Sequence, residues 1–254
     1  MDFGKRAGKG LLVLVFWLGL WFFAARLVGR ELLLPGPWVV LRRLAVLLLT
    51  ADFWRITAVS LARILLGFAL GVVLGGMLAA GTCRFALLDT LLAPLLTIIK
   101  STPVASFILL ALIWVGRSFL PCVIVILMVA PVVWTNISAG IRSADRQLLE
   151  MAQVYGFSPW RRILRVYAPA AAPYFFSALR SSLGLAWKAG VAAEVLTVPP
   201  CSIGKMLYES KLYLETVDLF AWTVVVILCS LIIEKLLAAA FSPLLRRYGG
   251  EGKS

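Results

Sequence analysis

Histidine is absent from this chain of 254 residues, and acidic residues are scarce, with 12 Asp and Glu against 25 Lys and Arg. Without histidine the chain lacks the commonest general base and metal ligand, and no Ser-His-Asp set can form. The four cysteines form no C-x-x-C pair, so we expect them to act as small buried hydrophobes. These absences weigh against an enzyme and against a metal-binding protein.

Apolar residues, by contrast, make up 62% of the sequence. An ordinary soluble domain is roughly 45–50% apolar, and a core of this size could not bury the excess. The formal net charge of +13 is also typical of membrane proteins, which retain Lys and Arg in their cytoplasmic loops. We therefore expect an all-α integral membrane protein.

Six apolar segments are expected to cross the membrane, which requires about 20 residues each. They are residues 11–29, 57–80, 85–116, 121–138, 174–196 and 218–241. Because Pro94, Lys100 and Pro103 interrupt residues 85–116, we expect there a kinked helix, or a short tilted helix followed by a spanning one. Residues 37–50 are too short to span and predict an interfacial helix.

The second segment carries a small residue at every fourth position, namely Gly67, Gly71, Gly75 and Ala79. This spacing places the four on one helix face, where another helix backbone can approach closely.

Charge asymmetry predicts the orientation. If both termini lie in the cytoplasm, 12 of the 25 Lys and Arg fall on inner segments and seven on outer ones. The positive-inside rule favours this arrangement. It places the polar stretch of residues 141–172 in the cytoplasm.

That polar stretch predicts two short helices joined at a corner. Asp145 can cap a helix over residues 146–155, and Gly156 can close it in the left-handed conformation. Ser158 and Pro159 are typical of a second helix start.

The second helix has one apolar face, formed by Trp160, Ile163, Leu164 and Tyr167. We expect Pro169 and Pro173 to end it before the next span. The hairpin is either an amphipathic element on the membrane surface or a docking element for a cytoplasmic partner.

The hairpin resembles the "EAA" loop of type I ABC importer permeases. The matching residues are Glu150-Met151-Ala152, Gly156 and Val166-Tyr167-Ala168-Pro169. Met151 replaces the first alanine of that pattern, and Ala168 stands where leucine is usual. Neither change removes the helix or the turn.

The resemblance extends to most of the chain and points to the nitrate/sulfonate/taurine group of these permeases. The similar segments are Leu34-Pro35-Gly36-Pro37, Ser60-Leu61-Ala62-Arg63 with Gly67, Thr102-Pro103-Val104-Ala105, Trp114-Val115-Gly116, Ala186-Trp187, Ala192-Ala193-Glu194 and Ser202-Ile203-Gly204.

The resemblance implies a MetI-like fold with an N-terminal helix and interfacial segment (1–56), a core (57–241) that holds a coupling loop (141–172), and a basic cytoplasmic tail (242–254). It implies a permease homodimer with a cytoplasmic ABC ATPase dimer and an extracytoplasmic substrate-binding protein, in a bacterial inner membrane. The coupling residues that it implies are Glu150, Met151, Ala152, Tyr155, Gly156 and Pro169.

No cofactor is expected on this chain, because ATP would bind to the ATPase. Residues 249–254 end in Gly-Lys-Ser, but the earlier glycine that a phosphate-binding loop requires is missing.

Three charged residues lie inside the fifth predicted span, and such charges mark either a substrate path or structural pairing. Arg180 and Lys188 share a stripe with Gly184, while Glu194 is six residues from Lys188 and beyond intrahelical reach. Partners must come from other helices or a second subunit. For Arg63, Asp89 and Lys100 we expect snorkelling to the membrane interface.

The predicted function is import of a small solute, with a nitrate-, sulfonate- or taurine-like anion as the expected cargo. A heterocyclic vitamin precursor is the alternative cargo, and a secondary transporter is the alternative mechanism. An intramembrane enzyme would need a converging nucleophile, acid and base, which the sequence does not offer.

Overall fold

The computed structural model describes residues 2–248, with the side chains of residues 12, 13 and 15–240. This part of the chain is all-helical, as predicted. Its helices are α1 (Asp2–Val28), α2 (Pro37–Leu48), α3 (Ala51–Arg84), α4 (Ala86–Ser101), α5 (Val104–Ala111), α6 (Leu120–Arg142), α7 (Arg146–Val154), α8 (Pro159–Arg162), α9 (Ala168–Thr197), α10 (Ile203–Leu212) and α11 (Thr216–Tyr248).

Each of the six predicted spans falls on one of these helices or, for residues 85–116, on α4 and α5. Among the described residues, α3, α6 and α11 are long and apolar enough to cross a membrane, and the bent pair of α4 and α5 would make a fourth span. The described apolar part of α1 is Val15–Val28. The 30-residue α9 has the necessary length but carries charged residues within its apolar sequence.

The core is built on a close parallel contact between α3 and α6. Gly67, Gly71 and Gly75 are all buried in this contact. A Cβ atom at Gly75 would lie 2.6 Å from the carbonyl oxygen of Ala130, so the two backbones touch directly. The predicted small-residue face is confirmed, and its partner is α6.

Helix α9 runs antiparallel across α6 and closes the core. A Cβ atom at Gly140 would lie 2.8 Å from the Cα of Ala171, and one at Gly190 would lie 2.6 Å from Ile64. On another side, Trp187 Nε1 donates to the backbone carbonyl of Val226 in α11 at 3.0 Å. Helix α9 thus contacts α3, α6, α10 and α11.

The third predicted span is a broken helix. Helix α4 has 16 residues and α5 only eight, and they meet at an angle of 105°. The expectation of a short helix followed by a spanning one was wrong, because the longer part comes first. Pro103 explains the break, since a proline drives the preceding residue out of the helical region, and Thr102 has φ −84° and ψ 131°.

Two further boundaries differ from the prediction. The loop predicted between the last two spans contains α10, whose N-cap Ser202 accepts from the backbone N–H of Lys205 at 3.0 Å. Helix α11 continues to Tyr248, seven residues into the predicted tail. Residues 249–254, on which the phosphate-loop expectation falls, lie outside the described residues.

The predicted interfacial helix is α2, with 12 residues. It is fixed to α11 by a bidentate ion pair, in which Arg43 donates to the two carboxylate oxygens of Asp218 at 2.5 and 2.7 Å. These hydrogen bonds raise the pKa of Arg43. The ion pair holds α2 across the start of α11.

Candidate functional site

The predicted hairpin forms with the expected caps. Asp145 accepts from the backbone N–H of Gln147 at 2.8 Å and begins α7. At the other end Gly156 has φ +63°, and the N–H of Phe157 donates to the carbonyl of Ala152 at 2.9 Å. This is the Schellman arrangement, which needs a left-handed residue after the helix. Gly156 therefore makes the corner.

Most side chains of α7 point away from the rest of the chain. The exposed fractions are 45% for Leu148, 42% for Met151, 85% for Val154 and 74% for Tyr155. Glu150 is also exposed, with a single ion pair to Arg146 one turn earlier at 3.1 Å. Ala152 is the buried residue of α7, and it packs against the rest of the chain. The helix thus presents an apolar face with a carboxylate beside it.

The second hairpin helix does not end at the prolines, so that expectation was wrong. Helix α8 passes through a π-helical segment, Ile163–Tyr167, directly into α9. Pro169 falls in the first turn of α9. In a regular α-helix the ring of Pro169 would clash with the carbonyl of Arg165, and a wider π turn at this place can accommodate the ring. Pro173 lies inside α9 and removes one further backbone hydrogen bond.

Most of the apolar face predicted for this helix is exposed. Trp160, Ile163 and Leu164 are 67%, 46% and 53% exposed, whereas Tyr167 is half-buried. We call the exposed apolar side chains of the hairpin the hairpin surface, namely Leu148, Met151, Val154, Tyr155, Trp160, Ile163 and Leu164.

Of the three charges predicted in the fifth span, Arg180 and Lys188 line a cleft between α9 and α11. The cleft has a volume of about 570 Å³ and also holds Glu234 and Lys235. Gly184 lies between Arg180 and Lys188, and a Cβ atom there would come within 3.2 Å of Glu234 Oε1. Among the described side chains, Arg180 and Lys188 make no ion pair.

Glu194 lies apart from that cleft and is fully buried. Arg63 of α3 donates to its Oε1 at 2.5 Å, and Ser60 donates to its Oε2 at 2.8 Å. The backbone N–H of Gly204 in α10 donates to Oε2 at 3.3 Å. This geometry corresponds to the structural-pairing alternative for Glu194.

The other charged residues near the membrane also have protein partners. Arg63 is paired with Glu194 and its side chain is only 12% exposed, so it does not snorkel to the interface as expected. Asp89 accepts from Arg142 at 2.7 Å, and Lys100 donates to Thr135 Oγ1 at 2.8 Å.

Glu234 and Lys235 were missed by the sequence analysis. The same pattern that singled out Arg180 and Lys188, a charge inside a predicted span, applies to both of them. Only the packing of α11 on α9 places them opposite those residues.

Known proteins share the sequence pattern. The family model described as "binding-protein-dependent transport system inner membrane component" matches residues 71–247. A probable ABC transporter permease of Brucella melitensis is 30% identical, over 93% of this chain and 96% of its own length. A putative aliphatic sulfonates transport permease of Bacillus subtilis is 31% identical, over 87% and 81%. A riboflavin transport system permease of Chloroflexus aurantiacus is 29% identical, over 72% and 68%.

The architecture also matches a solved structure. A chain of the inward-facing MetNI methionine ABC transporter superposes with a TM-score of 0.58 at 16% identity, over 84% of this chain and 98% of that chain. At this identity the likeness establishes the fold, which is the one expected from the sequence.

Proposed function

Since this chain belongs to the family of binding-protein-dependent transport system inner membrane components and is an ABC transporter permease, we propose that it imports a small organic or inorganic anion into a bacterial cell. A binding protein delivers the anion to the outer side, and a cytoplasmic ATPase dimer drives transport through a pair of these permeases. The chain itself forms the transport pathway and catalyses no reaction.

The hairpin surface is the observation that carries the coupling role. Large apolar side chains are exposed on α7, α8 and the π-helical segment, in the stretch of the chain where water, not lipid, is expected. Such patches on a folded protein mark interaction sites. The ATPase is the partner that fits, because a short helix with an apolar face inserts into a groove.

Two observations support an anionic cargo. Arg180 and Lys188 have no described ion-pair partner in the middle of a membrane helix, and a passing anion would compensate their charge. One relative is named for aliphatic sulfonates. The riboflavin permease among the relatives supports a heterocyclic vitamin as the second candidate cargo.

The test is reconstitution of the permease in proteoliposomes with its own ATPase and binding protein. Methanesulfonate, nitrate and riboflavin are supplied separately, and uptake and ATP hydrolysis are measured. We expect methanesulfonate or nitrate to be taken up and to stimulate hydrolysis. Uptake of riboflavin alone would replace the anion with the heterocycle, and uptake without the ATPase would contradict the importer mechanism.

The same complex tests the hairpin surface. We expect Glu150→Ala and Gly156→Glu to reduce coupled uptake by about tenfold, the effect of roughly 1.4 kcal/mol in docking free energy, while the permease remains inserted. Gly156→Asn should retain coupling, because asparagine tolerates the left-handed region. Glu209→Ala is the matched control. Like Glu150, Glu209 forms an ion pair with a residue four positions earlier, Lys205 at 3.5 Å, but it lies in α10 and outside the hairpin. Normal ATPase docking by Glu150→Ala and Gly156→Glu would contradict the coupling role.

A further inference from the structure

The exposed face of α9 differs from the exposed faces of its neighbours. Between residues 177 and 192 its exposed side chains are Ser177, Arg180, Ser181, Leu185, Lys188 and Ala192. In the middle of α3 the exposed side chains are instead mostly large and apolar, namely Leu65, Leu66, Leu70, Val73, Leu74 and Met77, with Ala69 the one small residue among them. Large apolar residues suit lipid, whereas small and cationic residues do not. This face of α9 is therefore unsuited to lipid, and part of it lines the cleft between α9 and α11.

Helix α11 adds its own charges to that cleft. Glu234 and Lys235 line the cleft with Arg180 and Lys188, so three cations share one carboxylate. Among the described residues, Glu234 accepts one long hydrogen bond, from Ser230 at 3.4 Å. Among the side chains that the structure describes, none of the three cations has an ion-pair partner.

Acidic residues of other copies of the chain cannot neutralise the excess positive charge of the cleft. Of the 12 acidic residues, only Glu234 lies in the central part of a span, and Glu194 lies in the last turn of α9. The others lie at helix ends, in loops, in short helices or near the chain termini. Glu194 is fully buried against Arg63, so it is unavailable to a neighbouring copy. A second copy would also bring three more cations.

Lipid phosphate is likewise a poor partner for Lys188. This residue is three positions from Leu185, the midpoint of the predicted span, which places its backbone within about 5 Å of the centre. The hydrocarbon half-thickness is about 15 Å, so about 10 Å separates Lys188 from the phosphates, more than its side chain spans. A small anion that enters from water remains as its partner.

We propose that the cleft between α9 and α11, lined by Arg180, Ser181, Lys188, Glu234 and Lys235, is an anion-binding site within the passage that the cargo follows. This inference rests on the proposed import of an anion. The three cations bind the anionic group of the cargo. Glu234 is the resident counter-charge that limits how tightly the anion is held, so that it can leave again.

The experiment measures charge selectivity in the cleft without requiring transport. Cys83, Cys122, Cys201 and Cys229 are replaced by alanine, and Ser181→Cys is introduced in the complete transporter. A methanethiosulfonate that carries a sulfonate and one that carries a trimethylammonium group are the probes. Relative to their rates with a free thiol, we expect the anionic reagent to be favoured by about tenfold or more.

Removal of single charges identifies the residues responsible. Lys188→Met and Lys235→Met should each reduce the preference for the anionic reagent, and Glu234→Gln should increase it. Lys100→Met is the control, because that lysine is bonded to Thr135 outside the cleft. A cysteine at Val73, on the apolar face of α3, should react with neither reagent.

Three outcomes would overturn the site: no reaction of Ser181→Cys with either reagent, as in a lipid-filled cleft; equal rates for both reagents; or a preference that survives loss of Lys188 and Lys235. If the preference is found but the transporter carries riboflavin, the anionic cargo is wrong and the charge assignment stands. If an anion is imported and the preference is missing, the cargo stands and the site is wrong.

Discussion

Glu194 of α9 joins the next helix, α10, to α3, which is remote in the sequence. Its carboxylate receives hydrogen bonds from Ser60 and Arg63 of α3 and from Gly204 of α10. The backbones of α9 and α10 are also in close contact here, since a Cβ atom at Gly204 would lie 2.3 Å from the Cβ of Glu194. A buried carboxylate of this kind is stabilising only while all its partners remain.

Glu194→Leu should therefore destabilise the permease strongly. It leaves the Arg63 guanidinium and the Gly204 N–H without their acceptor, and loss of one partner of a buried pair costs about 3–5 kcal/mol. The double variant Arg63→Leu with Glu194→Leu should recover much of this loss, because it leaves no unpaired charge. Thermal unfolding of the purified permease in detergent measures both effects.

The exposed pair of Arg142 and Asp89, with side chains 58% and 43% exposed, supplies the comparison. Arg142→Leu should cost about 1 kcal/mol or less. If Glu194→Leu and Arg142→Leu reduce the stability of the permease equally, the buried network contributes no more to stability than a surface ion pair does.

Sequence reasoning could place Glu194 in a membrane helix but could not find its partner. Arg63 lies 131 residues away, and no local periodicity connects the two. The segments that carry the family resemblance nevertheless include Ser60, Arg63, Glu194 and Gly204. Only the fold shows that these separate segments form one hydrogen-bonded network.

At the scale of elements, the spacing of small residues predicted a contact face on α3 correctly, because a four-residue repeat is a local property of a helix. The positions at which helices end were harder to predict. Helix α4 ends sharply before Pro103, whereas the helix continues through Pro169, since the π-helical segment accommodates this proline. A proline in the sequence does not reveal which of these responses the surrounding helices allow.

The neighbouring residues Gly75 and Gly76 give a matched test of the α3–α6 contact. Gly75→Ala would bring a Cβ within 2.6 Å of the Ala130 carbonyl oxygen, whereas the nearest atom to a Cβ at Gly76 is Ile137 Cδ1 at 3.8 Å. We expect Gly75→Ala to destabilise the permease by about 1–3 kcal/mol. Gly76→Ala should be neutral or stabilising by up to about 1 kcal/mol, from the better helix propensity of alanine. Unfolding midpoints that fall equally in both variants would contradict a specific backbone contact.

At the scale of the whole molecule, the orientation in the membrane follows from charge rather than from the fold. We predict that the hairpin and both termini lie in the cytoplasm and that α10 lies outside. Single cysteines at Ser143 and Lys211, in a chain without its native cysteines, report these two sides to an impermeant thiol reagent in intact cells. Lys211 is chosen because the adjacent Ser210 is buried and would not react on either side.

Labelling should occur at position 211 and, at position 143, only after the cells are permeabilised. The reverse pattern would invert the topology and would remove the hairpin surface from reach of a cytoplasmic ATPase.

The unbroken helical path from Pro159 to Thr197 has a mechanical consequence. Because no loop separates α8 from α9, a displacement imposed at Trp160 is passed to the membrane helix through continuous helical backbone. The π-helical segment between them is the place where part of that displacement can be absorbed by bending.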